Sequence, residues 1–370
     1  MEYVATTGNR QQATIPSLPI DDELSKRIKS LRFILIVFVI IIHNGISAKI
    51  FSERNIPDYV LNVQRLIGVI TSIAVPLFFM FSAYFLYIKE QKYFSVLKKK
   101  CRTILLPYIL WHILLIGFYF AVSILPFTKQ YFSPEKFVSS WELLDWIKAF
   151  CGDYSNTDNV LKNTPFVYQF WFLRDLFILT VLFAGIKKLV DKFPFGTFVF
   201  CLVLWVNNIR IYIVSPEALL FFMLGYYVIK YNLSMKNIDM IKTFELLTVY
   251  CITIIMEYFF IKTMPVLSKI NIIIGCLFFL KISRCFIENV KLYNVLAWLE
   301  KYQFIVYAVH GVMIPQFLKI YIRIIPPHGV YILLGYFLMI LFGVFISLFI
   351  GILLKKLFPK IYRVLTGGRI

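Results

Sequence analysis

Apolar windows of about 20 residues recur along the chain and constrain its fold more than any other feature. A helix needs about 20 residues to cross the roughly 30 Å hydrocarbon core of a bilayer. Because 60% of the 370 residues are hydrophobic and only 16% are charged, the chain has too little polar surface to cover a soluble globule. The sequence therefore predicts an all-α polytopic membrane protein with about ten transmembrane helices. The windows lie at about 31–50, 66–88, 103–125, 166–187, 195–214, 217–231, 243–261, 266–284, 303–323 and 330–354.

The distribution of positive charge predicts how these helices are oriented. The net charge of +19 comes from basic residues that alternate with apolar runs, and no continuous basic domain indicates a nucleic-acid partner. With both chain ends in the cytoplasm, most of the 39 Lys and Arg residues fall in inside segments, as the positive-inside rule requires. This N-in/C-in topology gives a polar cytoplasmic segment at 1–30, a membrane domain at 31–354 with an outer loop at about 126–165, and a basic cytoplasmic tail at 355–370.

The six cysteines are scattered and show no Cys-x-x-Cys spacing. They are Cys101, Cys151, Cys201, Cys251, Cys276 and Cys285. We expect buried apolar thiols rather than a disulfide framework or a zinc site, and we expect no bound metal.

Two titratable side chains interrupt the first window, Arg32 and His43. Eleven helical residues turn through about 1,100°, close to three full turns, so both side chains share one helix face about 16 Å apart along the axis. Ionisable groups at this depth are costly in hydrocarbon and usually face a bundle interior or a cavity. The pair is therefore the first candidate functional site.

Two other features are a long predicted loop, which has two interpretations, and a stripe of small residues, which has a structural one. The loop at about 126–165 combines tryptophans with carboxylates and amides, which suits either a carbohydrate contact or an interfacial helix anchored by its tryptophans. Gly343, Ser347 and Gly351 form a small-residue stripe that predicts close helix packing rather than chemistry.

Five stretches of the chain share their order and spacing with the motifs of a known family. They are Arg32-x10-His43, Val75–Tyr84, Arg102–Trp111, Phe170-Trp171-Phe172-Leu173 and Tyr307-x-x-His310. Together they resemble the acyltransferase family 3 membrane proteins, which O-acylate carbohydrates. The resemblance covers roughly residues 30–350. One departure is Ala83, because the family typically has Gly after the serine; Ala is still small enough for a close helix approach.

The resemblance implies an integral membrane O-acyltransferase. It implies transfer of an acyl group, in the first place acetyl, from acyl-CoA to a hydroxyl of a cell-surface polysaccharide or glycolipid. The partners are then acyl-CoA, a surface glycan or lipid-linked saccharide acceptor, and the lipid bilayer. Acetyl-CoA or another acyl-CoA is a donor substrate, and no permanently bound cofactor is expected. The implied location is the cell membrane, with a bacterial inner membrane favoured.

The donor suggests where cations are needed. Acyl-CoA is cytoplasmic and polyanionic, so its phosphates require cations near the inner mouth of the bundle. Arg32 lies there in the predicted topology, and Lys99 and Arg102 lie at the neighbouring entrance. The positive-inside rule alone also explains Lys99 and its basic neighbours, and this alternative stays open.

His43 is predicted near the middle of the membrane. A neutral imidazole there can take a proton from a sugar hydroxyl that attacks the thioester, or can carry the acyl group itself. Ser47, one turn further on, lies on the same helix face and can orient the ring. A structural histidine bonded to a main-chain carbonyl is the alternative.

The remaining candidates are supporting or acceptor-binding residues, each of which can instead be structural. They are Ser82, Trp171, Arg174, Asp175, Tyr307 and His310. Trp171, Arg174 and Asp175 share one helix face. Tyr307 and His310 share a face of another helix. Two further titratable residues are expected to be structural, His112 as a packed core histidine and Glu257 as a solvated or snorkelling side chain.

A different function class also fits intramembrane Arg and His residues. A transporter or flippase of a lipid-linked saccharide uses such groups along its pathway. Many transporters consist of two similar halves with interrupted helices at matched positions, and the sequence shows no such halves. A relative without activity that acts as an assembly factor is a third interpretation.

Overall fold

The computed structural model describes residues 22–45, 56–89, 92–124, 141–152, 164–325 and 329–368. Regular structure in these ranges is helical, apart from one isolated antiparallel bridge between Ile211 and Val214. The chain also forms a π-helix, Cys101–Leu105, and a 3-10 turn, Tyr168–Phe170. The α-helices are α1 (Asp22–His43), α2 (Asp58–Thr71), α3 (Ala74–Tyr87), α4 (Tyr93–Lys100), α5 (Leu106–Ile124), α6 (Leu143–Cys151), α7 (Trp171–Lys192), α8 (Pro194–Val206), α9 (Pro216–Lys230), α10 (Met235–Asp239), α11 (Thr243–Phe260), α12 (Val266–Glu288), α13 (Val290–Glu300), α14 (Gln303–Ile324), α15 (Gly329–Leu357) and α16 (Pro359–Leu365).

Six helical segments of the described ranges are long and apolar enough to cross a membrane, so an all-α polytopic membrane fold fits the chain. They are Asp58–Tyr87, Tyr93–Ala121, Tyr168–Lys192, Thr243–Phe260, Val266–Glu288 and Gly329–Leu357. Other predicted windows also fold into helices, but α8 and α9 have 13 and 15 residues, about 20 and 22 Å of helix. The count of ten spans and the N-in/C-in orientation stay predictions.

The helix α1 begins at Asp22, ahead of the predicted window, and ends at His43. Its early turns are anchored by Arg27, which is fully buried and donates to the Asp239 carboxylate at 2.9 Å and to Glu23 at 3.0 Å. The Lys281 ammonium donates to the Asp239 carbonyl at 2.6 Å. These bonds from Arg27 hold the pKa of Asp239 below its ordinary value. The part of the predicted polar segment from residue 22 onward is therefore the packed start of α1.

A break at Ser72–Ile73 divides the candidate span Asp58–Tyr87 into α2 and α3. Main-chain carbonyls released by a break are costly in lipid unless another group donates to them. The amide of Asn271 on α12 donates to the Val69 carbonyl at 3.1 Å, and the Tyr250 hydroxyl on α11 donates to the Ile70 carbonyl at 3.2 Å. Side chains from two neighbouring helices therefore stabilise the bent span.

Small residues permit the closest helix approaches. A Cβ atom at Gly225 of α9 would lie 2.7 Å from the Cβ of Ala83, so α9 supplies the glycine at the contact where α3 has Ala. On α15, a Cβ at Gly343 would lie 3.1 Å from Ile314, and Ser347 is fully buried. The predicted packing role of the α15 stripe is thus confirmed by its contact with α14.

The described part of the predicted outer loop contains α6, an amphipathic helix. Glu142 and Asp145 form a capping box at its start. Leu143 and Ile147 are 78% and 53% exposed, whereas Ala149 is fully buried. An exposed apolar face of this kind fits the interfacial alternative. The polar residues predicted for carbohydrate contact between 153 and 159 lie outside the described residues.

Two expectations about individual residues are wrong. Glu257 is only 8% exposed, so it is a buried group of α11 rather than a snorkelling one. Cys201 and Cys276 are buried as expected, but Cys151, Cys251 and Cys285 are exposed. An apolar window such as the one with Cys251 presents one side to lipid as well as one side to the core, and a thiol suits either.

Candidate functional site

A cavity of about 320 Å³ runs along one face of α1. Arg32, Ile36, Val39 and His43 all line it, at spacings of four, three and four residues that keep them on a single helix face. The other walls come from α3, the π-helix, the segment around α7, and the turn between α13 and α14. The face of α1 that was predicted to carry both Arg32 and His43 therefore lines a cavity.

The Arg32 end of the cavity is charged. The Nη1 of Arg32 donates to the Glu300 carboxylate at 3.0 Å, and the Gln303 amide donates to the same carboxylate oxygen at 3.0 Å. The guanidinium carbon also lies 5.2 Å from the centre of the Phe85 ring. Two further cations, Lys100 and Lys301, line this end. Three cations face one carboxylate, which gives an anion-attracting surface.

The His43 end of the cavity is formed by aromatic and imidazole rings. The ring of His43 lies edge-to-face with Tyr168 at 5.0 Å and stacks on His310 at 5.5 Å. The imidazole of His43 makes no hydrogen bond with any described residue. The Nδ1 of His310 lies 3.3 Å from the Val306 carbonyl, whereas its buried Nε2 has no partner among the described residues. A His43 ring with both nitrogens free of described partners is available for chemistry.

An irregular buried segment, residues 164–170, supports the His43 end. The Tyr307 hydroxyl donates to the Gln169 carbonyl at 2.5 Å, and the Gln169 amide donates to the Ala308 carbonyl at 3.4 Å. The rings of Phe170 and Tyr307 stack with centres 5.5 Å apart. Gly311 leaves room for the Gln169 amide, since a Cβ there would collide with it. Non-helical backbone at membrane depth is tolerated where it is buried in protein or lines a cavity, and this segment does both.

Ile104 of the π-helix lines the cavity wall, together with Lys100 at the end of α4. Pro107 has no N–H for the Thr103 carbonyl, and its ring would crowd that carbonyl in an α-helical turn. The chain forms a wider turn just before the proline, in which the Leu106 N–H donates to the Cys101 carbonyl. The wider turn makes this helix differ from a regular one where it meets the cavity.

The middle of the cavity is mostly apolar. Ser82 and Trp171 line it together with Val75, Phe78 and Phe172. These residues belong to the second and fourth sequence motifs, and Ile104 belongs to the third, so each of the five motifs contributes at least one residue to the cavity lining. An apolar passage between two polar ends suits an elongated ligand with polar groups at both ends.

Arg174 and Asp175 lie outside the cavity lining. Arg174 donates to the Asp175 carboxylate at 2.9 Å, to the Cys151 carbonyl at 2.9 Å and to the Ile213 carbonyl at 3.0 Å. Asp175 also accepts from the Ser215 N–H at 2.9 Å. The pair is thus a buried clamp that joins α7 to the ends of two connecting segments, and its geometry favours the structural alternative.

Several predicted residues lie elsewhere or cannot be placed. Lys99 and Arg102 are exposed and are not part of the cavity lining; Lys100 is the lysine that reaches it. Ser47 lies outside the described residues, and α1 ends before it. His112 is fully buried, with Nδ1 2.8 Å from the Tyr108 carbonyl, which agrees with a packed core histidine.

The site also contains residues that sequence reasoning did not select, chiefly Gln169, Glu300 and Gln303. Gln169 stands two residues before Trp171, and Glu300 is an acid that directly precedes an apolar window. Each was therefore next to a recognised feature. Their roles follow from contacts between distant segments, which spacing along the chain does not reveal.

The motifs that line this cavity are matched by a family model as a continuous unit. A model described as an acyltransferase domain covers residues 25–356. The chain belongs to this acyltransferase family. The match spans nearly the whole chain and confirms the resemblance drawn from the motifs, and it identifies a membrane acyltransferase. No curated protein and no solved structure gives a match.

Proposed function

We propose that this acyltransferase moves an acyl group, in the first place acetyl, from acyl-CoA to a hydroxyl of a cell-surface polysaccharide or glycolipid. The observation that carries the proposal is the cavity that joins Arg32 to His43. A cation-rich end suits the phosphates of the donor, and a free imidazole at the other end suits acyl transfer to an oxygen nucleophile.

The length of the cavity supports acyl-CoA as the donor. From the pyrophosphate to the sulfur, the pantetheine arm has about thirteen bonds, or about 16 Å when extended at about 1.25 Å per bond. Arg32 and His43 are separated by about the same distance along α1. Pyrophosphate bound at Arg32 therefore places the thioester beside His43, and the arm lies between the apolar walls.

The chemistry at His43 is that of a general base. The acceptor hydroxyl attacks the thioester carbonyl, and its proton passes to the imidazole. The C–O bond forms, the C–S bond breaks, and the leaving thiolate takes the proton from the imidazolium. Tyr307 and Gln169 line this end of the cavity, and Trp171 lines the adjoining middle, where its aromatic face can receive the ring of the acceptor.

The orientation follows from the location of the donor. Acyl-CoA is made in the cytoplasm, so the Arg32 end faces the cytoplasm, in agreement with the N-in/C-in topology predicted from charge. The acceptor then reaches the His43 end from the outer face or from within the bilayer. A multi-pass protein of the cell membrane, such as a bacterial inner membrane, meets these requirements.

The test follows labelled acetyl from acetyl-CoA into the glycan and lipid fractions of membranes. Wild type should label one fraction, and His43→Ala should lower labelling at least 100-fold while inserting normally. Membranes with Lys188→Gln, which changes an exposed cation of α7 outside the cavity lining, provide the control variant. If His43→Ala transfers acetyl as fast as wild type, the assignment of His43 is wrong. If wild type labels nothing and glycan export fails without the protein, a transporter explains the chain better.

A further inference from the structure

The C-terminal helix α16 lies beside the Arg32 end of the cavity, where it is hydrogen-bonded to Lys301 on one side and to α5 on the other. Lys301 is exposed and lines the cavity, so the cavity reaches the surface there. On one side, the Tyr362 hydroxyl of α16 donates to the Lys301 carbonyl at 3.1 Å. On the other side, the Trp111 indole N–H donates to the Leu365 carbonyl at 3.1 Å. The helix thus bridges the α13–α14 turn and the start of α5.

The backbone after α16 fixes this position. Gly367 has φ +66°, and a Cβ at this residue would lie 2.7 Å from the Thr103 Cα, so only glycine fits without displacement. The Gly367 N–H donates to the Val364 carbonyl at 3.1 Å and closes the helix end. Tyr362 is 2% exposed. The predicted basic tail is therefore a docked element, and it contacts the residue that follows Arg102.

The charge on these two elements has one sign. Residues 92–124 and 329–368 contain no Asp or Glu. Their cations include Arg102 and Arg363, which are both exposed beside the Thr103–Gly367 contact. The acid of the opposite turn, Glu300, already pairs with Arg32. The surface around the opening therefore attracts anions.

The proposed donor has an anionic part that the cavity does not hold. If the pantetheine arm fills the distance from His43 to Arg32, the adenosine and its 3′-phosphate lie beyond Arg32, at the opening. We propose that α16 forms the nucleotide-binding part of the donor site, with Arg363 and Arg102 binding the 3′-phosphate. This inference rests on the proposed function. It assigns a ligand to a segment that topology alone explains as a positive-inside tail.

The first experiment measures binding without the transfer reaction. The purified protein in phosphatidylcholine nanodiscs is titrated with adenosine 3′,5′-bisphosphate, which carries the 3′-phosphate but no acyl chain. We expect saturable binding by wild type and at least tenfold weaker binding by Arg363→Gln, as for one lost charge-assisted hydrogen bond. Lys188→Gln removes an exposed cation from α7 and should leave binding unchanged. Equal affinity of wild type and Arg363→Gln overturns the proposal.

The second experiment separates this inference from the proposed function. Membranes that supply the acceptor are assayed with acetyl-CoA and with acetyl-pantetheine, which lacks the nucleotide. Arg363→Gln should raise KM for acetyl-CoA about tenfold, leave kcat unchanged and leave transfer from acetyl-pantetheine unchanged. An equal loss with both donors overturns the role of α16. Transfer from neither donor by wild type contradicts the proposed function itself.

Discussion

Replacing Arg32 alone should damage transfer more than replacing Arg32 and Glu300 together. In Arg32→Gln the Glu300 carboxylate loses its ion-pair partner but keeps its place in the cavity lining. It then repels the donor phosphates at the site where they are meant to bind. In the double variant Arg32→Gln, Glu300→Gln this repulsion is absent, although the phosphate contact is still lost.

The structure gives the size of the difference. Glu300 and Arg32 are 3.0 Å apart, so a phosphate on the far edge of the guanidinium lies about 6.5 Å from the Glu300 carboxylate. At an effective dielectric constant of about 20, one charge pair at that distance interacts by about 2.5 kcal/mol. The two side chains are 29% and 15% exposed, and screening reduces this to about 1 kcal/mol. The double variant should therefore be about fivefold more active than Arg32→Gln.

The assay is the initial rate of labelled acetyl transfer as a function of acetyl-CoA concentration, compared as kcat/KM across the four members of the cycle. Arg284 and Glu288 form an exposed ion pair on α12, at 2.8 Å, and the same substitutions there provide the matched control. That control pair should show no effect on transfer. If adding Glu300→Gln to Arg32→Gln lowers kcat/KM further, Glu300 does not act through the charge at the donor end, and the reasoning fails.

Three further changes have definite expected outcomes. Gly225→Ala should destabilise the protein by about 1–3 kcal/mol in thermal unfolding in detergent, because α3 and α9 must separate, whereas Gly185→Ala on α7 meets nothing within 4 Å and should not destabilise it. Tyr307→Phe should cost about 1–2 kcal/mol and lower transfer, since the Gln169 carbonyl loses a donor at 2.5 Å; unchanged stability and activity would exclude this role. The pKa of Asp239 is held below its ordinary value, so the ionised Asp239 carboxylate stabilises the folded protein above about pH 4, and this stabilisation is lost as the pH falls below that. Asp239→Asn should not show this acid-dependent loss of stability in unfolding scans.

The helical register of α1 was the most predictable part of the site. Arg32 and His43 were expected on one face because helix geometry depends only on their separation, and both line the same cavity. The membrane-embedded helical class followed from composition in the same way. In contrast, the 13 residues of α8 and the break at Ser72–Ile73 were not predictable from an apolar window, which does not specify how long or how straight its helix is.

The role of the Arg174–Asp175 pair was undecided in the sequence for a physical reason. Its partners are the main-chain carbonyls of Cys151 and Ile213 and the main-chain N–H of Ser215. Such main-chain groups do not depend on the identity of the residue. No pattern of side chains marks such partners. The sequence therefore does not distinguish this ion pair from a catalytic one. Its contacts in the structure identify it as a clamp.

The breaks in helical structure explain how a cavity persists inside this bundle. Straight helices with continuous apolar faces pack side chain against side chain and leave little space. Here the 164–170 segment and the π-helix interrupt that packing where they line the cavity, and each main-chain group they release must find a partner in a medium without water. The Tyr307 hydroxyl supplies one such partner at the Gln169 carbonyl, and a Cβ at Gly311 would occupy the space of the Gln169 side chain. Because Tyr307 and Gly311 both belong to α14, the His43 end should be formed before any ligand binds.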